Sequence, residues 1–245
     1  MHRFFVPAHS GEHDDVLLCG QDAKHAVKVL RLREGDRFIA VDPGREQYVA
    51  RIVEAGVREV RAVIEGVVDI RTEPPVDVWL YQALPKADKM DHVVSRSTEL
   101  GVRAIVPVLT DRTVVRPEQD RLESRLRRWQ KIAEQSAELA GRTSCPQIAT
   151  PVPYAEALRN SAAHALRIMP WEEERARGIK SVLRGSSARS AFVLIGPEGG
   201  FTRREADEAM GAGVLPVTLG PRMMRTENAG AVVLAMIMYE LGDMC

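Results

Sequence analysis

Cysteine and long apolar runs are scarce in this 245-residue sequence. Its three cysteines, Cys19, Cys145 and Cys245, lie far apart, which fits neither a disulfide framework nor a CxxC zinc site. The pattern favours structural thiols in a reducing compartment. The longest apolar stretch, 229–239, is about half of the ~20 residues that a bilayer span needs. The N-terminus lacks the apolar core of a secretory signal, so we expect a cytoplasmic protein.

The formal net charge is zero, because 34 basic residues balance 34 acidic ones. A nucleic acid would therefore have to be held by a local basic patch, not by global charge. His2, His9 and His13 are irregularly spaced in a loop-like context. That spacing favours a solvated segment over a metal cluster, and we expect no metal.

The composition, 45% hydrophobic and 28% charged, is typical of a globular protein of one large or two ordinary domains. Up to Thr72 the pattern is one of short strands and turns, which suggests a small β-barrel. The predicted strands cover residues 36–41, 47–53 and 59–68, after a helical piece over 22–30. Residues 71–75, with two prolines, are interpreted as a linker.

From Val76 onward strands alternate with helices, which predicts a mostly parallel sheet with helices on both faces. The overall prediction is an α/β chain with domains over 1–72 and 73–245. Predicted strands are 76–84, 104–109, 165–169 and 191–195, and predicted helices are 89–100, 121–140, 154–163, 172–183 and 203–210. Gly101 is the expected C-cap of the first of these helices.

A glycine-rich turn follows the predicted strand 191–195 and reads Gly196-Pro197-Glu198-Gly199-Gly200. Thr202 and Glu205 have the spacing of a capping box, so a helix should begin at residue 203. Two interpretations stay open. The turn either offers backbone N–H groups to a ligand at the helix N-terminus or is simply a tight, well-capped connection. It matches neither GxxxxGK[ST] nor GxGxxG.

A second turn begins where a predicted strand ends at Leu219-Gly220. Arg222 and Arg225 lie in this loop and would suit an anionic or polar planar substrate. Thr226 is the expected N-cap of the last helix, and Glu227 suits the positive end of the helix dipole. Residues 229–238 are apolar on every face, which predicts a helix buried all round, in the core or in a subunit interface.

Four stretches together resemble a known family: 25–36, 82–91 with 99–102, 195–202 and 219–229. They are similar to the SPOUT superfamily of RNA methyltransferases, and specifically to the 16S rRNA uracil-N3 methyltransferases. Two positions depart from the family pattern. Leu139 stands where the family usually has glutamine, and Asn228 where threonine is commoner.

The resemblance implies a PUA-like, RNA-binding β-barrel over 1–72. It also implies a SPOUT domain over 73–245 with a deep trefoil knot, homodimers, and 16S rRNA of the small ribosomal subunit as substrate. S-adenosylmethionine would sit among the knot loops. The implied cofactor residues are Met169, Ile195, Gly196, Pro197, Glu198, Gly199, Gly200, Leu219, Gly220, Arg225, Thr226 and Ala229.

The implied reaction transfers a methyl group to uracil N3, which must lose its proton as the methyl arrives. Arg225 is the expected stabiliser of developing negative charge. Glu227 or Glu198 is the candidate proton acceptor, and both also suit structural roles. The candidate RNA contacts are Arg3, Arg31, Arg33, Lys86, Lys89 and Arg222.

Three alternatives to uracil-N3 methylation stay open. One is another SPOUT activity, such as ribose 2′-O-methylation or modification of a different base. A second is a non-catalytic RNA-binding or ribosome-assembly factor, which would not bind S-adenosylmethionine. A third, a Rossmann-type nucleotide enzyme, is disfavoured by the missing glycine fingerprint.

Overall fold

The computed structural model describes residues 1–7, 15–114 and 119–244. His9, His13 and Cys245 therefore lie outside the described residues. The chain forms two compact units. The first comprises Met1–Glu73 with Ala137–Ser144, and the second Pro74–Ser136 with the chain from Cys145 on. Within the described ranges, no helix is long and apolar enough to cross a bilayer.

The first unit is built on a five-stranded sheet in the order β1-β3-β4-β5-β2. The strands β1 and β3 pair in parallel, and the other neighbours are antiparallel. Phe4 and Phe38 meet edge to face at 5.4 Å in its core. The sequence predicted three of these five strands. The strands are β1 Arg3–Phe5, β2 Asp15–Cys19, β3 Arg37–Val41, β4 Gln47–Ala55 and β5 Glu59–Val67.

The helical piece predicted over 22–30 is not one regular helix. A short helix α1, Gly20–Lys24, continues as a π-helical stretch, His25–Val29. The Leu30 amide donates to the His25 carbonyl at 3.0 Å, which is the i→i+5 bond of a π-helix. Ala23 and Ala26 are the buried residues of this segment, so small side chains face the sheet.

Within the first unit, an ion pair joins the half-buried Glu73 to the buried Arg142 of the segment Ala137–Ser144. The Arg142 Nη2 donates to Glu73 Oε2 at 2.6 Å. The amides of Thr143 and Ser144 donate to Glu73 Oε1 at 2.9 and 3.0 Å. Burial raises the pKa of the Glu73 carboxyl, but these donors and the charge of Arg142 outweigh it and leave the pKa below its ordinary value.

The second unit contains a parallel sheet in the order β12-β10-β11-β6-β7-β8, with β9 also paired to β7. This confirms the predicted α/β class. Its strands are β6 Asp77–Ala83, β7 Ala104–Leu109, β8 Gln147–Ile148, β9 Val152–Pro153, β10 Leu166–Pro170, β11 Ser190–Ile195 and β12 Leu215–Val217. Its helices are α2 Lys89–Glu99, α3 Gln119–Leu139, α4 Tyr154–Ser161, α5 Ile179–Leu183, α6 Arg203–Gly211 and α7 Thr226–Leu241.

The prediction of a helix over 172–183 in the second unit is largely wrong. Residues 172–178 form a loop, and only Ile179–Leu183 is helical. Glu174 Oε1 accepts hydrogen bonds from the Ala176 and Arg177 amides at 2.7 and 2.9 Å. A side chain that bonds nearby backbone in this way competes with helical pairing. Gly178 then bridges to Thr218 in parallel fashion, which fixes the loop beside the end of β12.

The last helix, α7, is buried on one face only within this chain, so it does not lie wholly in the core of one chain. The alternative, a helix shared with a subunit interface, stays a prediction. Val233, Leu234 and Ile237 are fully buried, whereas the opposite side of the helix is less covered. That side carries the half-buried Ala231, Val232, Ala235 and Met236 and the exposed Tyr239. An apolar strip therefore runs along the outer side of α7.

Candidate functional site

The carboxyl ends of three neighbouring parallel strands, β12, β10 and β11, meet at one edge of the second unit's sheet. Ligands bind at such edges in open α/β sheets. The loops that leave these strands enclose a cleft of about 1020 Å³, large enough for a drug-sized molecule. The N-terminus of α7 and the side chain of Lys89 complete its wall.

The glycine loop after β11, residues 196–200, has a backbone conformation that requires glycine at position 200. Gly200 has φ +67°, and a Cβ at this position would stand 2.2 Å from Glu172 Oε1. Only glycine adopts such a φ without strain. Arg112 holds the loop from outside the cleft, because its Nη1 donates to the Gly199 carbonyl at 2.5 Å. The Arg112 side chain thus fastens the loop, and the Glu172 carboxylate occupies the space beside Gly200.

The predicted capping box at the start of α6 is present. The Thr202 hydroxyl accepts from the Glu205 amide at 3.2 Å, and Glu205 Oε2 accepts from the Thr202 amide at 2.8 Å. The Gly200 amide donates to the Pro197 carbonyl at 3.0 Å. These three amides are therefore occupied within the protein, which favours the capped-turn interpretation over free N–H donors at this helix.

Thr226 does not cap α7, contrary to the sequence prediction. Arg225 is the N-cap residue and Thr226 is the first residue of the helix. The Thr226 hydroxyl instead donates to the Gly196 carbonyl at 2.5 Å and accepts from Gln82 Nε2 at 2.9 Å. This side chain joins the glycine loop to the start of α7 and so connects two walls of the cleft.

Two carboxylates flank the ammonium of Lys89 at the cleft. Lys89 Nζ lies 2.9 Å from Glu198 Oε1 and 3.5 Å from Glu227 Oε2. The hydrogen bond to Glu198 raises the pKa of Lys89. Burial raises the pKa of Glu198, but donation by Lys89 and by the Lys86 amide leaves it below its ordinary value. Glu227 is 12% exposed, and its buried Oε2 forms the longer of the two ion-pair contacts with Lys89.

The cleft brings together most of the residues that the sequence singled out. All three candidate catalytic side chains line it, as do two of the candidate RNA contacts, Lys89 and Arg222. Arg225 is 82% exposed, with Nη1 4.0 Å from Glu227 Oε1. The expected cofactor residues in the wall are Ile195, Gly196, Pro197, Glu198, Gly199, Gly200, Leu219, Gly220, Arg225, Thr226 and Ala229.

Met169 is not among the described residues that line the cleft. It is fully buried in a core cluster with Phe192 and Leu194, while the next residues, Pro170 and Trp171, form the wall. Successive strand residues face opposite sides of a sheet, and the assignment of Met169 to the cofactor stays a prediction.

The candidate RNA contacts outside the cleft differ in their surroundings. Arg31, Arg33 and Lys86 are exposed. Arg3 is half-buried, and its Nη1 donates to Gln47 Oε1 at 2.6 Å and to the Arg142 carbonyl at 3.3 Å. Burial lowers the pKa of Arg3 despite the nearby Glu73 charge. Arg3 therefore forms hydrogen bonds within the first unit.

Sequence reasoning missed the part of the wall that follows β10. It assigned a helix to the charged run from Glu172, whereas Trp171, Glu172, Glu174 and Arg175 line the cleft. The run has no apolar periodicity and directly follows a parallel strand, a signal that could have indicated a ligand loop. Arg203 stacks over the Trp171 ring at 5.3 Å from its centroid, which steadies this wall.

Comparison with known proteins gives the same assignment for both halves of the chain. An RNA methyltransferase domain model matches residues 72–238, and an RNA methyltransferase PUA domain model matches residues 18–65. Ribosomal RNA small subunit methyltransferase E of Synechocystis is 33% identical over 91% of this chain and 72% of that protein. Its Bacillus subtilis counterpart is 26% identical over 98% and 97%.

A solved structure agrees over the whole length. Ribosomal RNA small subunit methyltransferase E of Neisseria gonorrhoeae, crystallised with S-adenosyl methionine bound, has 31% identity and a TM-score of 0.90. The match covers 100% of both chains. With a matching domain model over more than half of its length and a full-length structural match, the chain belongs to the ribosomal RNA small subunit methyltransferase E family of RNA methyltransferases.

Proposed function

We propose that this protein transfers the methyl group of S-adenosylmethionine to N3 of a uridine in 16S rRNA. The observation that carries the proposal is the cleft, where the loops that follow β11 and β12, the two neighbours of β10, meet beside Arg225 and the carboxylates of Glu198 and Glu227. The Neisseria relative binds S-adenosyl methionine, and the RNA methyltransferase domain model spans all of the cleft residues.

The residues of the cleft fit a ligand with an apolar part and a positive charge. Ile195, Leu219 and Met224 supply apolar surface, and Glu172 and Glu227 supply negative charge. When bound, S-adenosylmethionine supplies an electrophilic methyl group on a sulfonium. The segments 195–200 and 219–226 would hold it, since they carry 10 of the 12 proposed cofactor residues, leaving only Met169 and Ala229 aside.

We propose that Glu227 accepts the proton that uracil N3 loses. Glu198 already accepts hydrogen bonds from Lys89 and the Lys86 amide, and its lowered pKa makes it a weaker base. Glu227 lies in the cleft wall, and Lys89 Nζ is 3.5 Å from its Oε2, farther than the 2.9 Å to Glu198 Oε1. Arg225 would stabilise negative charge that develops on the uracil oxygens, because its exposed guanidinium can reach a bound base.

RNA would be held by basic side chains on both units. These are the exposed Arg31 and Arg33 on the first, and the exposed Lys86 and Arg222 with the half-buried Lys89 on the second. The first unit, close to the predicted 1–72, would serve as the RNA-binding domain. We further propose that two copies pair through the apolar strip on α7 and that the last segments of the second unit thread into a deep trefoil knot. The enzyme would work in the cytoplasm on the small ribosomal subunit.

Mass spectrometry of rRNA tests the reaction. A strain without the gene should lack one N3-methyluridine in its 16S rRNA, and the purified enzyme with S-adenosylmethionine should restore it. An Arg225→Ala variant should lose about 100-fold or more in rate while still binding the cofactor, and Arg184→Ala, an exposed arginine outside the cleft, is the matched control. A 2′-O-methyl product or a different methylated base would replace the N3 assignment, and absence of any methylation would contradict the proposal.

A further inference from the structure

Gln82 occupies a position where an apolar residue would be expected. It lies on β6 with Val78 and Leu80 at the same two-residue period, and both of these neighbours belong to the main core. Gln82 itself is fully buried. Burying a side-chain amide in an apolar core costs free energy unless hydrogen bonds compensate for the lost water. The hydrogen bonds that the Gln82 amide forms therefore decide what its burial costs.

The amide of Gln82 begins a chain of hydrogen bonds that ends in the glycine loop. Its Nε2 donates to Thr226 Oγ1 at 2.9 Å, and the Thr226 hydroxyl donates onward to the Gly196 carbonyl at 2.5 Å. The same Nε2 donates to the Ala83 carbonyl at 3.1 Å. Three segments that are distant in sequence are therefore connected in series: the end of β6, the start of α7 and the turn after β11.

We call this series of hydrogen bonds, from Gln82 through Thr226 to Gly196, the relay. The chemistry of the partners fixes which group donates in each of its bonds. The Ala83 carbonyl can only accept, so the Gln82 atom that faces it must be the NH₂ group. The single proton of the Thr226 hydroxyl goes to Gly196, which leaves the hydroxyl oxygen to accept from Gln82. Both donors of the amide are then used, while Gln82 Oε1 has no partner in the described structure.

The backbone of α7 comes close to β6 at this point. A Cβ at Gly230 would stand 3.2 Å from Leu80 Cδ2 and 3.5 Å from Gln82 Oε1. The absent side chain lets the helix pack directly on the strand, which brings Thr226 within reach of the buried amide. Gln82 itself does not line the cleft, but Gly196 and Thr226 do.

We propose that Gln82 is a positioning residue for the cofactor site. By orienting the Thr226 hydroxyl toward Gly196, it holds the glycine loop and the α7 N-terminus at a fixed separation on both sides of the cleft. The inference rests on the proposed function, because it takes this cleft as the seat of S-adenosylmethionine. Loss of the relay should weaken cofactor binding and leave RNA binding unchanged.

Calorimetry with S-adenosylmethionine tests the relay. Gln82→Met has nearly the same shape and Thr226→Val removes the hydroxyl, and each should raise the cofactor Kd about tenfold or more. Since both changes break one series of bonds, the double variant should bind about as weakly as the worse single variant. Thr226→Ser keeps the hydroxyl and should bind nearly as tightly as the wild type.

Ser97→Ala is the matched control, because Ser97 is another fully buried polar residue of the second unit, outside the relay. It should alter the unfolding midpoint only. In steady-state assays the Gln82 and Thr226→Val variants should raise KM for the cofactor but not for RNA. Wild-type affinity in both Gln82→Met and Thr226→Val, or fully additive losses in the double variant, would overturn the relay. A wild-type protein that fails to bind S-adenosylmethionine would instead overturn the proposed function.

Discussion

Lys89 donates a hydrogen bond to Glu198 at the cleft, with 2.9 Å between Nζ and Oε1. The same ammonium is 3.5 Å from Glu227 Oε2. One cation is thus shared unequally by two carboxylates that sequence alone could not tell apart. We expect the closer partner, Glu198, to anchor the glycine loop and the more distant Glu227 to accept the proton.

Replacement of each carboxylate by its amide should separate these roles. Glu227→Gln should lower kcat by about 100-fold or more, as loss of a general base does, with little change in the S-adenosylmethionine Kd. Glu198→Gln should keep most of kcat and raise the cofactor Kd, because the loop loses its ion pair. Rates and calorimetry on the two variants measure both effects. An equal or larger loss of kcat in Glu198→Gln would reverse the assignment.

Alanine at Gly200 should damage the glycine loop in two ways. Its positive φ costs an alanine about 1–2 kcal/mol, and its Cβ would collide with the Glu172 carboxylate. We expect a lower unfolding midpoint and cofactor binding too weak to measure at ordinary concentrations. Gly211→Ala is the matched control, because no atom lies within 4 Å of a Cβ there. Cofactor affinity near that of the wild type in Gly200→Ala would remove this loop from the site.

The basic side chains of the first unit should divide into two classes. The double variant Arg31→Ala with Arg33→Ala should bind RNA more weakly and flatten the dependence of log K on log salt, by about 0.7 per lost phosphate contact on single strands. Its unfolding midpoint should not change. Arg3→Ala should instead lower stability by about 1–3 kcal/mol, because buried partners lose their donor. A salt dependence identical to that of the wild type in the double variant would exclude Arg31 and Arg33 as contacts.

The Glu73–Arg142 pair should make stability depend on pH. Glu73→Gln should cost about 3 kcal/mol near neutral pH, because the buried Arg142 guanidinium loses its carboxylate. The folded-state pKa of Glu73 lies below its ordinary value. The ion pair therefore makes its full contribution to the free energy of unfolding above the ordinary carboxyl pKa. This contribution is lost as the pH falls through the folded-state pKa of Glu73. Urea unfolding of both proteins from pH 7 down to pH 3 measures this difference, and a constant difference would contradict the assignment.

Local sequence determined most of the elements of this protein. The strand β7 was predicted at the observed bounds, and α2, α6 and α7 begin within a few residues of their predicted starts. Such features are local, because alternation, capping boxes and C-cap glycines act over a few residues. The four motif stretches likewise indicated the family, since a motif is a pattern of residue types along the chain. The capping box of Thr202 and Glu205 was predicted correctly because both partners of its hydrogen bonds lie within one turn.

Tertiary structure decided the features whose partners are distant along the chain. Thr226 had the sequence context of an N-cap, but Gln82, 144 residues away, turns its hydroxyl toward Gly196. The stretch after β10 had the composition of a helix, yet its parallel bridge to Thr218 and the bonds of Glu174 fix it as a loop. Sequence thus determined which segments exist, while packing decided which polar groups meet, since hydrogen-bond partners are chosen by proximity in space.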